Sequence, residues 1–213
     1  MINTKTALNP NEQILKNYFP QITDIQLQKL LQLEALYTEW NAKINVVSRK
    51  DMDMFFVHHV LHSLAILKFE NIPSGSFIID IGTGGGFPAI PLAIMLPECR
   101  FVACDSIGKK IKVVSEIVKE LKLENVRPYN GRAELMTERF DYIVSRAVTA
   151  LPAFVEMFFP LFKRNGSSKI LYLKGGDFDE ELAEIPLKNE VFEISHVYEH
   201  PFFETKKLVK LYQ

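Results

Sequence analysis

Cysteine is nearly absent from this sequence: 213 residues contain two, Cys99 and Cys104. Their spacing matches neither a zinc knuckle nor a C-x-x-C redox pair, so the sequence offers no disulfide framework, and two buried, reduced thiols are expected. Long apolar runs are missing as well. The longest, residues 90–96, is interrupted by Pro91 and falls far short of the roughly 20 residues that span a bilayer. Residues 1–18 lack the continuous apolar segment of a signal peptide. These absences lead to the expectation of a soluble, cytoplasmic chain with no membrane partner. An excess of either charge is also lacking, since 25 lysines and arginines face 26 aspartates and glutamates. The overall field of a strongly basic protein draws it to polyanions; here any contact with nucleic acid must be local.

What the chain does hold is apolar residues in quantity. At 47% hydrophobic it can bury a substantial core, and its length suits one main domain with an appendage. Up to about residue 70, apolar residues recur every three or four positions, the helical period. Leu27, Leu30, Leu33, Tyr37, Trp40 and Ile44 form one stripe, and Thr23 with Gln26 makes a capping box ahead of it. A further helix from about Asp51 carries Met52, Phe56, Val60, Leu64 and Leu67 on one face. Pro73 and Gly75 then break the pattern. The boundary is placed there, between an N-terminal helical lobe of residues 1–72 and a second domain of residues 73–213.

Beyond it, short apolar strands alternate with helices. Strands are expected at residues 77–81, 101–104, 126–129, 142–144 and 170–173, and helices up to residue 96, over 107–121 and over 151–162. Two late strands are expected near 191–197 and 207–211. Such alternation implies an α/β fold, a mostly parallel sheet covered by helices on both faces, with an antiparallel edge at the C-terminus.

The most informative stretch runs from the first of these strands into glycines: Asp80-Ile81-Gly82-Thr83-Gly84-Gly85-Gly86-Phe87-Pro88. Glycine is needed where backbone takes positive φ or approaches a ligand closely, and a helix start presents free N–H groups, so a cofactor is expected over this turn. A nicotinamide fingerprint, G-x-G-x-x-G, would have glycine where Phe87 stands. What remains, D-x-G-x-G-x-G, resembles the first motif of class I methyltransferases. S-adenosylmethionine carries a cationic sulfonium and ammonium and no phosphate, so Asp80 near the pocket is electrostatically favourable there. Asp105 ends the next strand, where a carboxylate can accept from both ribose hydroxyls; capping the following helix is its alternative role.

Over nearly its whole length the chain is similar to the bacterial small-subunit ribosomal RNA guanine-N7 methyltransferases, also called the glucose-inhibited division protein B family. The similarity rests on Trp40-Asn41, Ile44-Asn45 and Ser48, on His59 with Ser63-Leu64, and on Gly82 to Pro88. Asp105-Ser106, Lys109, Arg132-Ala133-Glu134, Ser145-Arg146-Ala147 and Lys174-Gly175 complete it. The resemblance implies a Rossmann-like class I methyltransferase sheet and S-adenosyl-L-methionine as cofactor. It also implies 16S ribosomal RNA as partner, with no DNA and a monomeric enzyme. Asp80, Gly82, Gly84, Phe87, Asp105, Ala133, Glu134 and Arg146 would then bind the cofactor, with Ala133 and Glu134 at the adenine. Arg146, Arg132 and Asn45 are the catalytic candidates. Phe87 can instead be core, Glu134 a turn cap, and Arg146 half of a salt bridge to a strand-end acid. Ala89, His62 and Lys206 depart from the family, which commonly has glycine, aspartate and arginine there; Lys206 keeps the charge without the planar fork.

Guanine N7 has an in-plane lone pair and no proton, so it can attack the sulfonium methyl directly. The enzyme need only position the reactants and exclude water. His58 and His62, four residues apart, could grip a metal only with a third ligand, and none is evident. Arg49-Lys50, Lys109-Lys110-Lys112, Lys163-Arg164 and Lys206-Lys207-Lys210 could neutralise phosphates if they share a face. Two other readings stay open: a methyltransferase of a small molecule or protein, and a ribosome assembly factor that keeps the fold without turnover.

Overall fold

The computed structural model describes residues 9–146, 148–163 and 166–213; Ala147 and Arg164 lie outside the described residues. The N-terminal helices are α1 (Pro10–Tyr18), α2 (Asp24–Asn41), α3 (Arg49–Met52), α4 (His62–Leu64) and α5 (Ile66–Phe69), with a π-helical turn (Phe56–Leu61) before α4. Thr23 caps α2 as expected: its hydroxyl accepts from Gln26 N–H, and the Gln26 side chain returns to the Thr23 N–H at 3.0 Å. Leu27, Leu30, Leu33 and Tyr37 are buried, while the helix stops at Asn41, short of Ile44.

The segment expected to be one helix from Asp51 is broken first by a turn at residues 53–54 and then by the π turn, in which the His62 N–H reaches back five residues to the Val57 carbonyl. The sequence explains why. Met52, Phe56, Val60 and Leu64 repeat every four residues, and each such step overshoots an α-helical turn by about 40°. Widening the helix at Phe56–Leu61 keeps the apolar side chains on one face.

The sheet comprises β1 (Phe77–Ile81), β2 (Arg100–Asp105), β3 (Val126–Asn130), β4 (Tyr142–Arg146), β5 (Lys169–Gly175), β6 (Lys188–Glu193) and β7 (Lys206–Tyr212), in the order β3-β2-β1-β4-β5-β7-β6. β1 to β5 pair in parallel, and β7 runs antiparallel to β5 and β6, as expected. Helices α6 (Ala89–Met95), α7 (Gly108–Glu120), α8 (Leu151–Phe158) and α9 (Asp179–Ala183) complete the elements. Successive strand residues serve opposite faces. Ile78 joins Leu30, Leu33, Leu64, Ile90 and Val113 in one cluster, whereas Ile79 joins Val102, Ile143, Phe154 and Tyr172 in the other. The N-terminal helices thus share a core with one face of the sheet.

Two boundaries differ from expectation. The helix after residue 150 ends at Phe158 and continues as a 3₁₀ turn, Phe159–Leu161, because Pro160 cannot donate an α-helical hydrogen bond. The strand expected near 191–197 is β6, ending at Glu193, and Ile194 is buried in a 3₁₀ turn. β6 pairs on one side only, so it tolerates Lys188, Asn189 and Glu190, which apolar patterning passes over.

From β1 the chain winds outward through β2 and β3, then returns to place β4 on the other side of β1. Connections leave this switch point in opposite directions and open a crevice at the C-terminal ends of β1 and β4, the usual ligand position in open α/β sheets.

Candidate active site

A cleft of about 550 Å³ opens there, lined among others by Gly82, Asp105, Lys110, Ala133, Glu134 and Arg146. A second groove, bounded by Pro152, Val155, Phe159 and Ile185, carries no glycine turn and no cation. We assign the site to the first.

The glycine turn is shaped by two carboxylates. Asp80 is fully buried, and its Oδ2 accepts from the Thr83 hydroxyl at 2.6 Å and the Ala89 N–H at 3.0 Å. It staples the turn from beneath rather than lining the cleft. Asp105 Oδ2 accepts from the Gly84 N–H at 3.0 Å, and its Oδ1 accepts from the Ile107 N–H at 2.8 Å, ahead of α7. Asp105 thus closes a short turn ahead of α7 but does not cap it, since the N-cap is Ile107 and receives no side-chain cap bond; it lines the cleft, and a carboxylate has lone pairs left for ribose hydroxyls. Gly82 takes φ +68°.

Asp80 carries a pH signature. Burial raises its pKa to about 7, against the Thr83 and Ala89 donors and the charge of Arg146, which lower it. The folded protein then binds this proton more tightly than the unfolded chain. The contribution to stability is full below the ordinary carboxylate pKa and is lost as pH rises through about 7. Asp80→Asn should flatten this decline between roughly pH 4 and 7. Urea unfolding at several pH values checks it; identical slopes for both proteins would refute the origin in Asp80.

The other candidates separate into two groups. Ala133 is buried at the start of the 3₁₀ turn Ala133–Leu135 and lines the cleft with Glu134 and Arg132. Arg132 is largely exposed, and its Nη1 lies 3.5 Å from Glu134 Oε1. Gly82, Asp105 and Arg146 meet them there; Asp80 and Phe87 are buried behind the wall, and Gly84, half-buried, bonds Asp105 without lining the cleft. Phe87 is a core residue, packed on Tyr37 at 4.9 Å and His59 at 5.1 Å between ring centroids. Asn45 is exposed in the connection after α2 and does not line the cleft.

Arg146, the last residue of β4, makes no salt bridge to a strand-end acid. Its Nη1 donates to the His58 carbonyl at 3.3 Å, its Nη2 lies 3.1 Å from His59 Nδ1, and its guanidinium sits 5.5 Å from the Phe87 ring centroid. Burial lowers its pKa, while Asp80, Asp51 and Tyr37 act in the opposite direction.

Sequence patterning placed Tyr37 in a core stripe and missed its second function. Its fully buried hydroxyl donates to the Gly85 carbonyl, so α2 braces the glycine turn. Tyr37→Phe should cost about 1 kcal/mol, seen as a fall in melting temperature of about 2–4 °C, together with weaker cofactor binding. Unchanged melting and affinity would show that the bond is idle. Val148 and Tyr172 were also missed. The Tyr172 hydroxyl accepts from the Val148 and Thr149 N–H groups at 2.8 and 3.1 Å and donates to the Thr149 carbonyl at 2.7 Å, holding the loop beside Gly82. A tyrosine inside an apolar strand carries no sequence signal for this.

Both cysteines are free and buried, as expected. No cluster of three metal-ligating side chains occurs among the described residues. His58 instead bonds Asp51 at 2.9 Å and stacks on Phe202 at 4.0 Å. The lysine groups do not share one face: Lys163 bonds Asp141 beside the N-terminal end of β1, while Lys206 faces Gly175 at the opposite ends of the strands. Lys207 and Lys210 are paired with Glu193 and Glu70. No described helix is long and apolar enough to cross a membrane.

Sheet order, glycine turn and the carboxylate ending β2 define a class I methyltransferase. Solved structures agree on the fold. A SAM-dependent methyltransferase from Aquifex aeolicus superimposes with a TM-score of 0.55 at 18% identity, covering 70% of this chain and 88% of that one. An Aeropyrum pernix fibrillarin with natively bound S-adenosyl-L-methionine gives 0.56 at 15% identity over 71% and 73%. Family and curated relatives narrow the class. The model of the rRNA small subunit methyltransferase G family matches residues 26–209. The ribosomal RNA small subunit methyltransferase G of Christiangramia forsetii is 51% identical over 93% of this chain and 96% of its own, and that of Flavobacterium johnsoniae 50% over 94% and 97%. The chain belongs to the rRNA small subunit methyltransferase G family, and it is an enzyme of that class.

Proposed function

We propose that the chain transfers the methyl group of S-adenosyl-L-methionine to guanine N7 of 16S ribosomal RNA, in the cytoplasm. The observation that carries this reading is the cleft at the switch point. One wall is the glycine turn with Asp105 and Ala133, suited to the adenosyl and methionyl parts; the other holds Arg146, which forms no ion pair with a carboxylate among the described residues. Asp105 would accept from the ribose hydroxyls, and Gly82 would let backbone approach the methionyl chain. Ala133 and Glu134 would flank the adenine. Asp80, from beneath, would hold the turn in shape. The cofactor supplies an electrophilic methyl group. Guanine N7 presents a bare lone pair, so the residues here need only orient the base and exclude water. Arg146 can direct N–H groups to guanine O6 or a phosphate. The exposed Arg132 and Lys109 would meet the RNA backbone at the cleft mouth, and the helical lobe of residues 1–72 would add RNA-facing surface beside it.

The test compares small-subunit RNA from cells with and without the gene by borohydride and aniline treatment, which cuts chains at N7-methylguanosine. One cleavage site, lost on deletion, is the expected result. An identical pattern in both strains would exclude guanine N7 as the acceptor.

A further inference from the structure

His59 is contributed by the π-helical turn and is 9% exposed, its ring set against Phe55 and Phe87. Arg146 Nη2 lies 3.1 Å from its Nδ1. A guanidinium has only donors, so Nδ1 must be the bare acceptor nitrogen and the ring proton must sit on Nε2. That Nε2 is buried without a hydrogen-bond partner. The other acceptor for Arg146 is also neutral, the His58 carbonyl at 3.3 Å. Arg146 is half-buried, and a carboxylate would bind both arms of its fork more strongly than these neutral acceptors do. Here Asp80 and Asp51 act on it only through space.

We propose that His59 is a positioning residue. It fixes the Arg146 guanidinium at the cleft wall through a neutral acceptor, so that the full positive charge stays available to an oxygen of the RNA substrate. That substrate rests on the function proposed above; the contact itself does not. The surroundings keep the ring uncharged. Burial above all brings its pKa down to about 3; of the groups that face His59, Arg146 and His58 also oppose its protonation and Asp51 favours it. The π turn supplies both acceptors at once, turning the His58 carbonyl and the His59 ring toward the end of β4.

Three replacements separate geometry from charge. His59→Asn keeps a neutral acceptor near Nδ1, His59→Asp has the same shape with a negative charge, and His59→Leu has no acceptor. Single-turnover methyl transfer to small-subunit RNA at saturating cofactor should fall by no more than about threefold in His59→Asn. It should fall at least roughly tenfold in His59→Leu and in His59→Asp, although aspartate would grip Arg146 more tightly. Wild-type rates in His59→Leu, or equal rates in His59→Asp and His59→Asn, would overturn the proposal. A second measurement needs neither variants nor RNA. Nitrogen-15 spectra of the free protein should show a protonated Nε2 and a bare Nδ1 for His59 throughout about pH 5–8. A protonated Nδ1 would remove the contact whatever the enzyme methylates, whereas a correct tautomer with no wild-type transfer to RNA would sink the functional reading alone.

Discussion

Gly82→Val should fold and lose more than about 100-fold in affinity for S-adenosylmethionine, a change of at least roughly 2.7 kcal/mol. Two effects combine. Gly82 stands at φ +68°, where a side chain costs about 1–2 kcal/mol and a β-branched residue is least tolerated. A Cβ at this position would also lie 2.5 Å from Val148 Cγ2, so either the Val148 side chain must turn or the 148–150 loop must shift at the cleft wall. That loop is tied to the buried Tyr172 hydroxyl and can move only by giving up those bonds. Calorimetry with S-adenosylmethionine on protein shown to be folded by circular dichroism checks the prediction. Normal affinity in such a protein would remove the turn from the cofactor site.

Arg146→Ala should separate binding from transfer. Cofactor affinity should change by at most roughly tenfold, about 1.4 kcal/mol, because the turn, Asp105 and Ala133 stay in place. Methyl transfer should fall by at least about 100-fold, since orientation of the base is felt mainly in the transition state. Arg146→Lys should recover little of this. A lysine ammonium is a point charge and cannot bond the His58 carbonyl and His59 Nδ1 while also presenting a planar fork to guanine. Single-turnover transfer at saturating cofactor decides it. Near-normal rates in the alanine protein would make Arg146 a structural residue, and loss of cofactor binding alone would make it part of the cofactor site.

The contacts of Arg146 show how legible the site was. Its position at the C-terminal end of a strand on the cleft side could be inferred from sequence, because alternating strands and helices imply a parallel sheet and the glycine turn marks which ends face the cleft. Its partners could not. In place of the alternative salt bridge to a strand-end acid stand a carbonyl and an imidazole from a segment more than 80 residues earlier, brought there by a π turn that periodicity read as ordinary helix. Asp80 gives the converse case. The motif suggested a charge near the cofactor, whereas the carboxylate lies beneath the backbone rather than on the cleft wall, because Thr83 and Ala89 fold over it.

Local patterning by itself determined the fold class and the five parallel strands. Alternating strands and helices imply a parallel sheet, Thr23 and Gln26 cap α2, and glycines after an apolar strand make a turn that only residues without Cβ can follow. These are interactions between near neighbours or consequences of one residue's allowed φ and ψ, so they are written in the order of the chain. The tertiary structure alone decided that Tyr37 braces Gly85, that Tyr172 anchors the loop beside Gly82, that Lys163 lies far from Lys206, and that Arg146 is held by neutral acceptors. Each joins groups far apart in sequence, and what unites them is the burial of two apolar faces on one sheet. That burial is nondirectional and records no partner in the local sequence.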